Sequence, residues 1–544
     1  MKTLKYILLS AVLISVSACV EPEDVLEDQG IDTTVEVLPE LTAGSADFSK
    51  FVSIGNSLTA GYTDNALFIA SQQNSFPNTL AQKFALVGGG EFTQPLMNDN
   101  FGGLALGGTR IAQPRLVFGG AGPVPLESLI GPVTVTTDLA VNNPTGPFNN
   151  MGVPGAASFH LIAPGYGNIG NLPSAANPYF VRMTGSTPNA TILEMALAQS
   201  PTFVSLWIGN NDVLGYATGG ASSGAPTPQS TFDFALSTVM SNLAGTQGIM
   251  ANIPDVTTIP YFTTVPHNPL DPSNPAFGPQ IPTLNGIFGQ LNQVFAYLEG
   301  QGIVPNATER QIVFSETENS ALVISDESLP NISAQITGVL NASPTFPAFV
   351  QSFGLPAAAA PIVANLLGVV YGQARQASSD DLLVLPSSTI IGTVNTAFAA
   401  FLQSQGLPPT LAGQFSAEGI TLPLEDKWAV IPSEQLEIKN AISGFNASIS
   451  AAASAAGYAF VDANSLMQQL DSGGFTDGDH TLTSNLVTGG AFSLDGVHPT
   501  ARGYALIANQ FMRAIDLAYG SNFEASGNLV DIGDYPTNYS PTLQ

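Results

Sequence analysis

Hydrophobic residues along the chain fall into two alternating patterns. Short uninterrupted apolar runs predict strands buried on both faces, as in a parallel sheet; they lie at Lys50–Ile54, Thr202–Ile208, Gly248–Ile253 and Tyr458–Val461. Apolar residues three or four positions apart predict amphipathic helices; these lie at Phe76–Leu86, Thr191–Gln199, Thr231–Leu243, Glu434–Ala456 and Ala501–Ile515. Strands separated by helices predict an α/β fold of three layers, with a mostly parallel sheet and helices on both faces.

The interval 262–429 interrupts this alternation and is longer than a connection requires. Its pattern predicts a hairpin of Gln311–Phe314 with Leu322–Ser325, and apolar helical segments around 346–353, 361–371 and 394–403. One interpretation is a mainly helical cap over the carboxyl edge of the sheet, because the interval leaves from a strand end on that side. The other is an insertion that only packs against the sheet. The remaining parts are a core, 47–261 with 430–520, and a tail, 521–544.

Residues 1–18 have the pattern of an export leader. A basic start precedes an apolar run, Tyr6–Ala18, that is too short to cross a bilayer as a helix, which takes about 20 residues. Cys19 is the only cysteine of the chain, and with the preceding Val-Ser-Ala it resembles the lipidation site of a bacterial lipoprotein. The resemblance implies a lipid anchor on Cys19. The acidic sequence that follows has no apolar periodicity and predicts a solvated tether at 19–46. Its acidic residues just after Cys19 favour an outer-membrane protein, on the periplasmic or the outward face. An ordinary cleaved leader with a chance cysteine is the alternative.

The overall charge narrows the range of partners. The formal net charge is −28 at pH 7, and loss of Lys2 and Lys5 with the leader makes the mature chain more acidic still. Such a surface disfavours nucleic acid and docking to anionic lipid head groups. Only 10% of residues are charged, with 54 glycines and 40 prolines, which is typical of a secreted protein with long turns. No later apolar run predicts a transmembrane helix.

Residues capable of nucleophilic catalysis follow the predicted strands. Ser57 comes directly after the first strand, and Asn211 follows the second. Asp495 and His498 lie three residues apart just before the last helix. Sites on such sheets form where the carboxyl ends of the strands meet. A serine hydroxyl needs a base near neutral pH, and the base needs an acceptor to hold its tautomer, so we expect Ser57, His498 and Asp495 to act together.

Four segments together resemble the sequence blocks of the SGNH, or GDSL-type, serine hydrolases. They are Phe51–Tyr62 (FVSIGNSLTAGY), Asn150–Ala156 (NMGVPGA), Gly209–Asp212 (GNND) and Asp495–His498 (DGVH). They occur in order across 50–515. The resemblance implies a flavodoxin-like sheet and an esterase or lipase that hydrolyses carboxylic esters without a cofactor.

The same resemblance implies a role for each matched residue. Ser57 is the expected nucleophile, His498 the base, and Asp495 the group that orients the base. The expected oxyanion hole consists of the N–H groups of Ser57 and Gly155 and the side-chain amide of Asn211. The acyl-enzyme on Ser57 would then be resolved by water.

Other polar residues near the blocks have expected structural roles. Asn56 stands where the family has Asp; it keeps an acceptor oxygen and is neither nucleophile nor base, so we expect activity to survive. Asp212 is expected to stabilise its loop. His160 and His267 fit loop positions, and Asp477–His480 fits a polar turn better than a cation site. No zinc motif, phosphate loop or dinucleotide fingerprint occurs, so no metal or cofactor is expected.

Three alternatives to simple ester hydrolysis remain at this stage. Acyl transfer to an alcohol and deacylation of glycans would both use the same residues. A non-catalytic surface module for binding is a third, although such a module has no reason to keep Ser57, Gly155, Asn211 and His498 together. The expected partners are a small or lipid-like ester and a membrane reached through the anchor, not nucleic acid.

Overall fold

The computed structural model describes residues 37–543. The predicted leader, the predicted lipidation of Cys19 and most of the predicted tether lie outside the described residues. Within them, the chain has an α/β fold with a five-stranded parallel sheet and many helices, which confirms the predicted class.

The central sheet has strand order β5-β4-β3-β1-β2, and all of its pairs are parallel. Its strands are β1 (Phe51–Gly55), β2 (Asn150–Gly152), β3 (Phe203–Trp207), β4 (Gln247–Ala251) and β5 (Ala459–Val461). The hydrophobic pattern does not predict β2, because three residues are too few to form a recognisable apolar run. Its pairing with β1 nevertheless brings the segment that follows it to the same sheet edge as Ser57.

Helices surround the sheet and fill the interval 262–429. Those outside the interval are Ser57–Ala60, Ile69–Gln73, Phe76–Ala85, Glu127–Ile130, Pro178–Thr184, Ile192–Leu197, Asn211–Thr218, Gln229–Asn242, Pro260–Thr263, Pro432–Ala456, Ala463–Ser472 and Ala501–Tyr519. Those inside it are Ile281–Gly300, Ser333–Ala342, Phe346–Ser352, Ala360–Tyr371, Thr396–Ser404 and Pro409–Gln414. Short antiparallel pairs join Leu104–Leu106 to Thr109–Ala112, Leu116–Phe118 to Pro123–Pro125, Val323–Ser325 to Ala374–Gln376, Leu382–Leu383 to Ala429–Val430, and Phe475–Asp477 to His480–Leu482.

Alternate side chains of each strand enter different hydrophobic clusters, as the two-residue period of a strand requires. In β3, Val204 and Leu206 belong to a cluster that includes residues of helices 229–242 and 432–456. Phe203 and Trp207 belong to another, with residues of helices 76–85 and 501–519. The sheet is therefore buried on both faces, which explains the uninterrupted apolar runs of its strands.

The interval 262–429 contains a large hydrophobic cluster of its own, built around helices 281–300, 333–342 and 360–371. Among the described residues no single helix is long and apolar enough to cross a membrane. One pair, Phe346–Ser352 with Ala357–Tyr371, reaches that length and composition only together, and it is bent by 114°.

The predicted hairpin in this interval is wrong. Val323–Ser325 pairs with Ala374–Gln376 instead of with 311–314. The latter segment is held by two asparagines of the long helix 281–300. Asn292 exchanges two hydrogen bonds with the backbone of Ile312, and Asn285 does the same with Phe314, at 2.8–3.0 Å. These side-chain amides satisfy the backbone as a strand partner would, and no strand pairing is needed.

The tail that follows helix 501–519 packs back onto the core. Phe523 is fully buried in the cluster beside helices 76–85 and 501–519. The buried guanidinium of Arg115 donates to the carbonyl oxygens of Asn100, Tyr539 and Ser540 at 2.8, 3.5 and 2.6 Å. The last residues of the chain thus complete the hydrogen bonding of a buried charge.

Candidate active site

Ser57 opens a four-residue helix that begins two residues after β1 ends at Gly55. The turn is fixed by Asn56, which is fully buried. Its Oδ1 accepts the N–H of Leu58 at 3.0 Å, and its Nδ2 donates to Oδ1 of Asn210 at 3.0 Å. An aspartate at this position could make the first bond but could not donate the second. Asn56 therefore ties the turn of Ser57 to the turn after β3.

Three residues predicted to act together lie in one hydrogen-bonded chain. Oγ of Ser57 is 2.9 Å from Nε2 of His498, and Nδ1 of His498 is 2.9 Å from Oδ2 of Asp495. The side chains of His498 and Asp495 are 15% and 9% exposed, so both are largely shielded from solvent. A hydroxyl, an imidazole and a carboxylate in this order can move a proton away from the serine.

The carboxylate of Asp495 is held ionised. Its Oδ1 accepts the backbone N–H groups of Val497 and His498, both at 2.8 Å. Its Oδ2 accepts the backbone N–H of Asn65 at 2.9 Å. Burial alone raises the pKa of Asp495, but the nearby charge of His498 and these hydrogen bonds outweigh it and lower the pKa to about 2. An ionised Asp495 stabilises an imidazolium on His498.

The segment that follows helix 57–60 holds the loop that carries Asp495 and His498. Asp64 donates from its N–H to Oγ of Ser493 at 3.0 Å, and its Oδ1 accepts the N–H of Leu494 at 3.1 Å. Asp64 and Asn65 both have left-handed backbones, with φ of 51° and 62°. Burial, helped by the charge of Asp495, raises the pKa of Asp64 to about 7, although the Leu494 hydrogen bond and Arg115 lower it.

Sequence reasoning missed Asp64 and Asn65. They lie just beyond the first block, and their partners are more than 400 residues away in the chain. The one local indication is their residue type, since Asp and Asn tolerate the left-handed conformation better than most residues.

Three N–H groups were predicted to form an oxyanion hole. The backbone N–H groups of Ser57 and Gly155 donate to no acceptor among residues 37–543. Gly155 is exposed and has a φ of 83°, which favours glycine. The amide of Asn211 donates one hydrogen to the carbonyl of Ala156 at 2.9 Å, which leaves its second hydrogen for another acceptor. This bond also joins the Asn211 turn to the Gly155 loop.

Asp212 stabilises its surroundings, as expected from the sequence. It is almost fully buried, and its carboxylate accepts both the N–H and the Oγ–H of Ser158, at 2.8 and 2.7 Å. Burial raises the pKa of Asp212, while the Ser158 hydrogen bonds lower it. These bonds fasten the end of the Gly155 loop to the start of helix 211–218.

A cavity of about 90 Å³ opens beside Ser57 and His498. Apart from those two residues and Asn210 its lining is mostly apolar, and includes Leu214, Val256, Ile259, Leu466, Met467, Phe492 and Val497. All the described residues that line it lie outside the interval 262–429. Part of its wall comes from helix 463–472, which the sequence pattern did not predict. Such a surface suits a hydrocarbon chain better than a sugar.

The interval 262–429 does reach the loop of the triad. The N–H of Tyr261, at its border, donates to the carbonyl of Gly496 at 2.9 Å. A side chain at Gly496, whose φ is 72°, would meet the backbone of Tyr261 at 3.0 Å and Cδ2 of Leu385 at 3.2 Å. The loop that carries Asp495 and His498 is therefore packed against the interval on one side and against Asp64 on the other.

The other three histidines are engaged away from the triad. Nδ1 of His160 accepts the N–H of Ala157 at 3.0 Å, its ring stacks on Tyr166, and burial lowers its pKa to about 4. His480 lies at the end of a tight hairpin, 3.9 Å from Asp531. The carbonyl of His267 accepts the N–H of Leu322.

The carboxylate of Asp477 is occupied by Asn509 and Arg513, at 2.6 Å each, so its segment is a turn rather than a ligand cluster. A different set of carboxylates, not predicted from the sequence, comes together at Glu327, Asp426 and Glu434, with oxygens within 4.8 Å of one another. Burial and mutual repulsion raise the pKa values of Asp426 and Glu434.

Comparisons of the chain with protein-family models, with curated proteins and with solved structures found no match. The function must therefore be argued from the site itself.

Proposed function

We propose that this protein is a serine esterase of the SGNH type that hydrolyses esters of apolar acyl groups. The observation that carries the proposal is the chain Ser57–His498–Asp495, with 2.9 Å at each step and a carboxylate kept ionised at its end. The sheet order β5-β4-β3-β1-β2, with the candidate residues following β1, β2 and β3, supports the flavodoxin-like assignment.

In the proposed reaction, Nε2 of His498 takes the proton of Ser57 Oγ as the oxygen attacks the ester carbonyl. Asp495 stabilises the imidazolium, which then gives its proton to the departing alcohol. The carbonyl oxygen becomes an oxyanion and accepts hydrogen bonds from Ser57 N–H, Gly155 N–H and the free hydrogen of Asn211. Water activated by His498 then hydrolyses the acyl-enzyme.

The apolar cavity beside Ser57 supports an acyl chain as the group bound there. The acyl group stays on Ser57 through the second half of the reaction, whereas the alcohol must leave and make room for water. A half-enclosed apolar cavity suits the group that stays. The same apolar lining argues against a glycan ester as the substrate. Acyl transfer would differ from hydrolysis only in the second half of the reaction, where an alcohol would replace water as the acceptor of the acyl group.

We further propose that the interval 262–429 acts as a helical cap. The closeness of Leu385 to Gly496 supports this, because it connects the interval to the loop of Asp495 and His498; Tyr261, just before the interval, also bonds Gly496. The cap would keep water away from the oxyanion, and its apolar side chains would favour acyl chains long enough to extend beyond the cavity beside Ser57. Replacing 265–428 by a Gly/Ser linker should then reduce activity on long-chain esters more than on acetate, whereas equal losses in a folded protein would refute the cap.

The leader pattern supports export and a lipid anchor at Cys19 in the outer membrane. Cys19→Ser should release the protein from membranes, because several acyl chains, at about 0.8 kcal/mol per buried CH₂, anchor a protein firmly. A wild-type chain found wholly in the soluble fraction would refute the anchor.

The nucleophile assignment is tested by Ser57→Ala, with hydrolysis of p-nitrophenyl butyrate and labelling by a fluorophosphonate as readouts. Loss of a triad nucleophile reduces turnover by about 10⁴–10⁶. Ser53→Ala is a matched control, because Ser53 lies on the adjoining strand and bonds Ser205 inside the sheet at 2.6 Å. Retention of activity and labelling by folded Ser57→Ala would overturn the proposal.

A further inference from the structure

A second apolar cavity, of about 50 Å³, lies within the interval 262–429. It shares no described residue with the cavity beside Ser57. Helices 346–352, 360–371 and 396–404 supply most of its walls. Its lining includes Val363, Leu366, Leu367, Val370, Phe398, Leu402 and Phe415.

The polar groups in this lining are already used. The hydroxyl of Tyr371 donates to the carbonyl of Thr421, and the hydroxyl of Thr421 donates to the carbonyl of Gln414 at 2.6 Å. An apolar cavity with no free polar group stays dry and accepts apolar guests. The ligand that matches it is a hydrocarbon chain.

Half-exposed phenylalanines surround the cavity. Phe349 and Phe353 lie 5.1 Å apart between ring centres, and Phe353 and Phe415 lie 6.2 Å apart. Exposed apolar side chains are found on the same helices, with Ile362 46%, Val369 66% and Phe401 46% exposed. We call these phenylalanines and exposed apolar residues, together with the cavity, the apolar face.

The charge distribution indicates what covers the apolar face. No Asp, Glu, Lys or Arg occurs in 328–374 or in 382–417, although the chain has 41 acidic residues. A free fatty acid would bring a carboxylate, and these stretches offer no cation to pair with it. The neutral chain of a lipid that remains in a bilayer brings no charge to this surface. The bent helix pair 346–352 with 357–371 has the apolar composition of a membrane segment, which matches the same environment.

We propose that the apolar face rests on a lipid bilayer and that its cavity takes up one lipid acyl chain. The partner is a zwitterionic or neutral lipid surface, because the strongly acidic remainder of the chain repels anionic head groups. This site is separate from the proposed esterase site and does not depend on it. It adds a second membrane contact to any anchor at Cys19.

The experiment is flotation of the chain with vesicles of dioleoyl phosphatidylcholine. All proteins begin at residue 19 and carry Cys19→Ser, which removes the anchor, and Ser57→Ala, which prevents lipid hydrolysis. We expect the parent to float equally at about 0.1 M and about 0.5 M NaCl, since an uncharged contact is not screened by salt. A parent that stays at the bottom, or that floats only at low salt, overturns the proposal.

Two tryptophan substitutions on one helix separate uptake of a chain from adsorption. Leu366→Trp fills the cavity and should lower vesicle partitioning about ten-fold, the effect of removing roughly two buried methylenes. Ile362→Trp, on the exposed side, should keep or raise partitioning, because tryptophan favours the membrane interface. Equal partitioning of the two variants overturns uptake into the cavity.

If thermal unfolding shows that Leu366→Trp does not fold, a second pair of variants tests the proposal. Val363→Asp puts a charge into the half-buried lining and should abolish flotation. Val313→Asp, at an exposed position elsewhere in the interval, should leave flotation unchanged. Flotation of folded Val363→Asp at the parent level overturns the proposal.

Discussion

The backbone N–H of Asn65 and the Nδ1 of His498 share one oxygen, Oδ2 of Asp495, each at 2.9 Å. The orientation of the Asp495 carboxylate thus depends on a residue only eight positions after Ser57. Because Asn65 has a left-handed backbone and an exposed side chain, the main chain rather than the side chain makes this contact.

Asn65→Val should therefore impair turnover without removing any side-chain contact to the triad. A β-branched residue disfavours a φ of 62°, so the N–H should shift away from Asp495. We expect kcat to fall roughly ten-fold with little change in KM, as for a small misplacement of a catalytic group. Asn65→Gly, which adopts this φ without strain, should retain nearly full activity; equal losses in both variants would contradict the argument.

Asp64→Asn should stabilise the protein more at pH 8 than at pH 5. The folded pKa of Asp64 is raised to about 7 from an ordinary 3.8, so the folded state binds more protons than the unfolded state between these values. Wild-type stability therefore falls as pH rises through this window, whereas the neutral Asn still accepts from Leu494 and has no such dependence.

The gain in unfolding free energy for Asp64→Asn should be larger at pH 8 than at pH 5 by on the order of 2 kcal/mol. Urea unfolding of both proteins at the two pH values measures it. Arg115 is charged at both pH values, so its effect cancels when the two gains in unfolding free energy are compared. A gain that does not change with pH would contradict the prediction.

If the proposed function is right, Leu466→Trp should shorten the acyl chains of the esters that the protein hydrolyses. Leu466 lines the cavity beside Ser57 from helix 463–472, and loss of space for one or two methylenes reduces kcat/KM by about 10–200-fold. We expect this loss on octanoate esters and little change on acetate. Leu436→Trp is the control, because Leu436 is 59% exposed on helix 432–456. An equal loss of kcat/KM on all esters would show that the acyl group does not bind in this cavity.

Asn211→Ala should lower kcat by about 10²–10³ while KM changes little, the usual effect of removing one oxyanion donor. The substitution also removes the bond to Ala156, so thermal unfolding must be measured alongside. Labelling of Ser57 by a fluorophosphonate should slow as well, since the phosphoryl oxygen of the reacting probe would accept the same hydrogen bonds as the proposed oxyanion. Unchanged kcat in the folded variant would assign Asn211 to loop support alone.

The sequence alone predicted the α/β class and four of the five sheet strands, because buried parallel strands produce apolar runs that are hard to mistake. It also named Ser57, Asp495 and His498, which the structure brings within hydrogen-bonding distance. Their catalytic roles and the oxyanion hole stay predictions.

What could not be predicted depends on contacts between distant segments. The backbone at 311–314 looks like a strand, yet side chains of Asn285 and Asn292 satisfy it. Nothing in a local pattern distinguishes these asparagines from others on a helix surface. By contrast, helix 463–472, which forms part of the cavity wall, was missed although its apolar residues Ala463, Leu466, Met467 and Leu470 have helical spacing, so a local pattern could have predicted it.

The hydrogen bonds from buried Arg115 to the carbonyls of Tyr539 and Ser540 affect the order in which the fold can be completed during synthesis. Ser57 is synthesised early, whereas His498 and the two residues that accept from Arg115 are synthesised more than 400 residues later. Arg115 interacts with Asp64, which holds the loop of Asp495 and His498. A chain that lacks residues 539–540 would leave two of the three acceptors of Arg115 absent, so we expect Ser57, His498 and Asp495 to reach their final arrangement only after these residues have joined the fold.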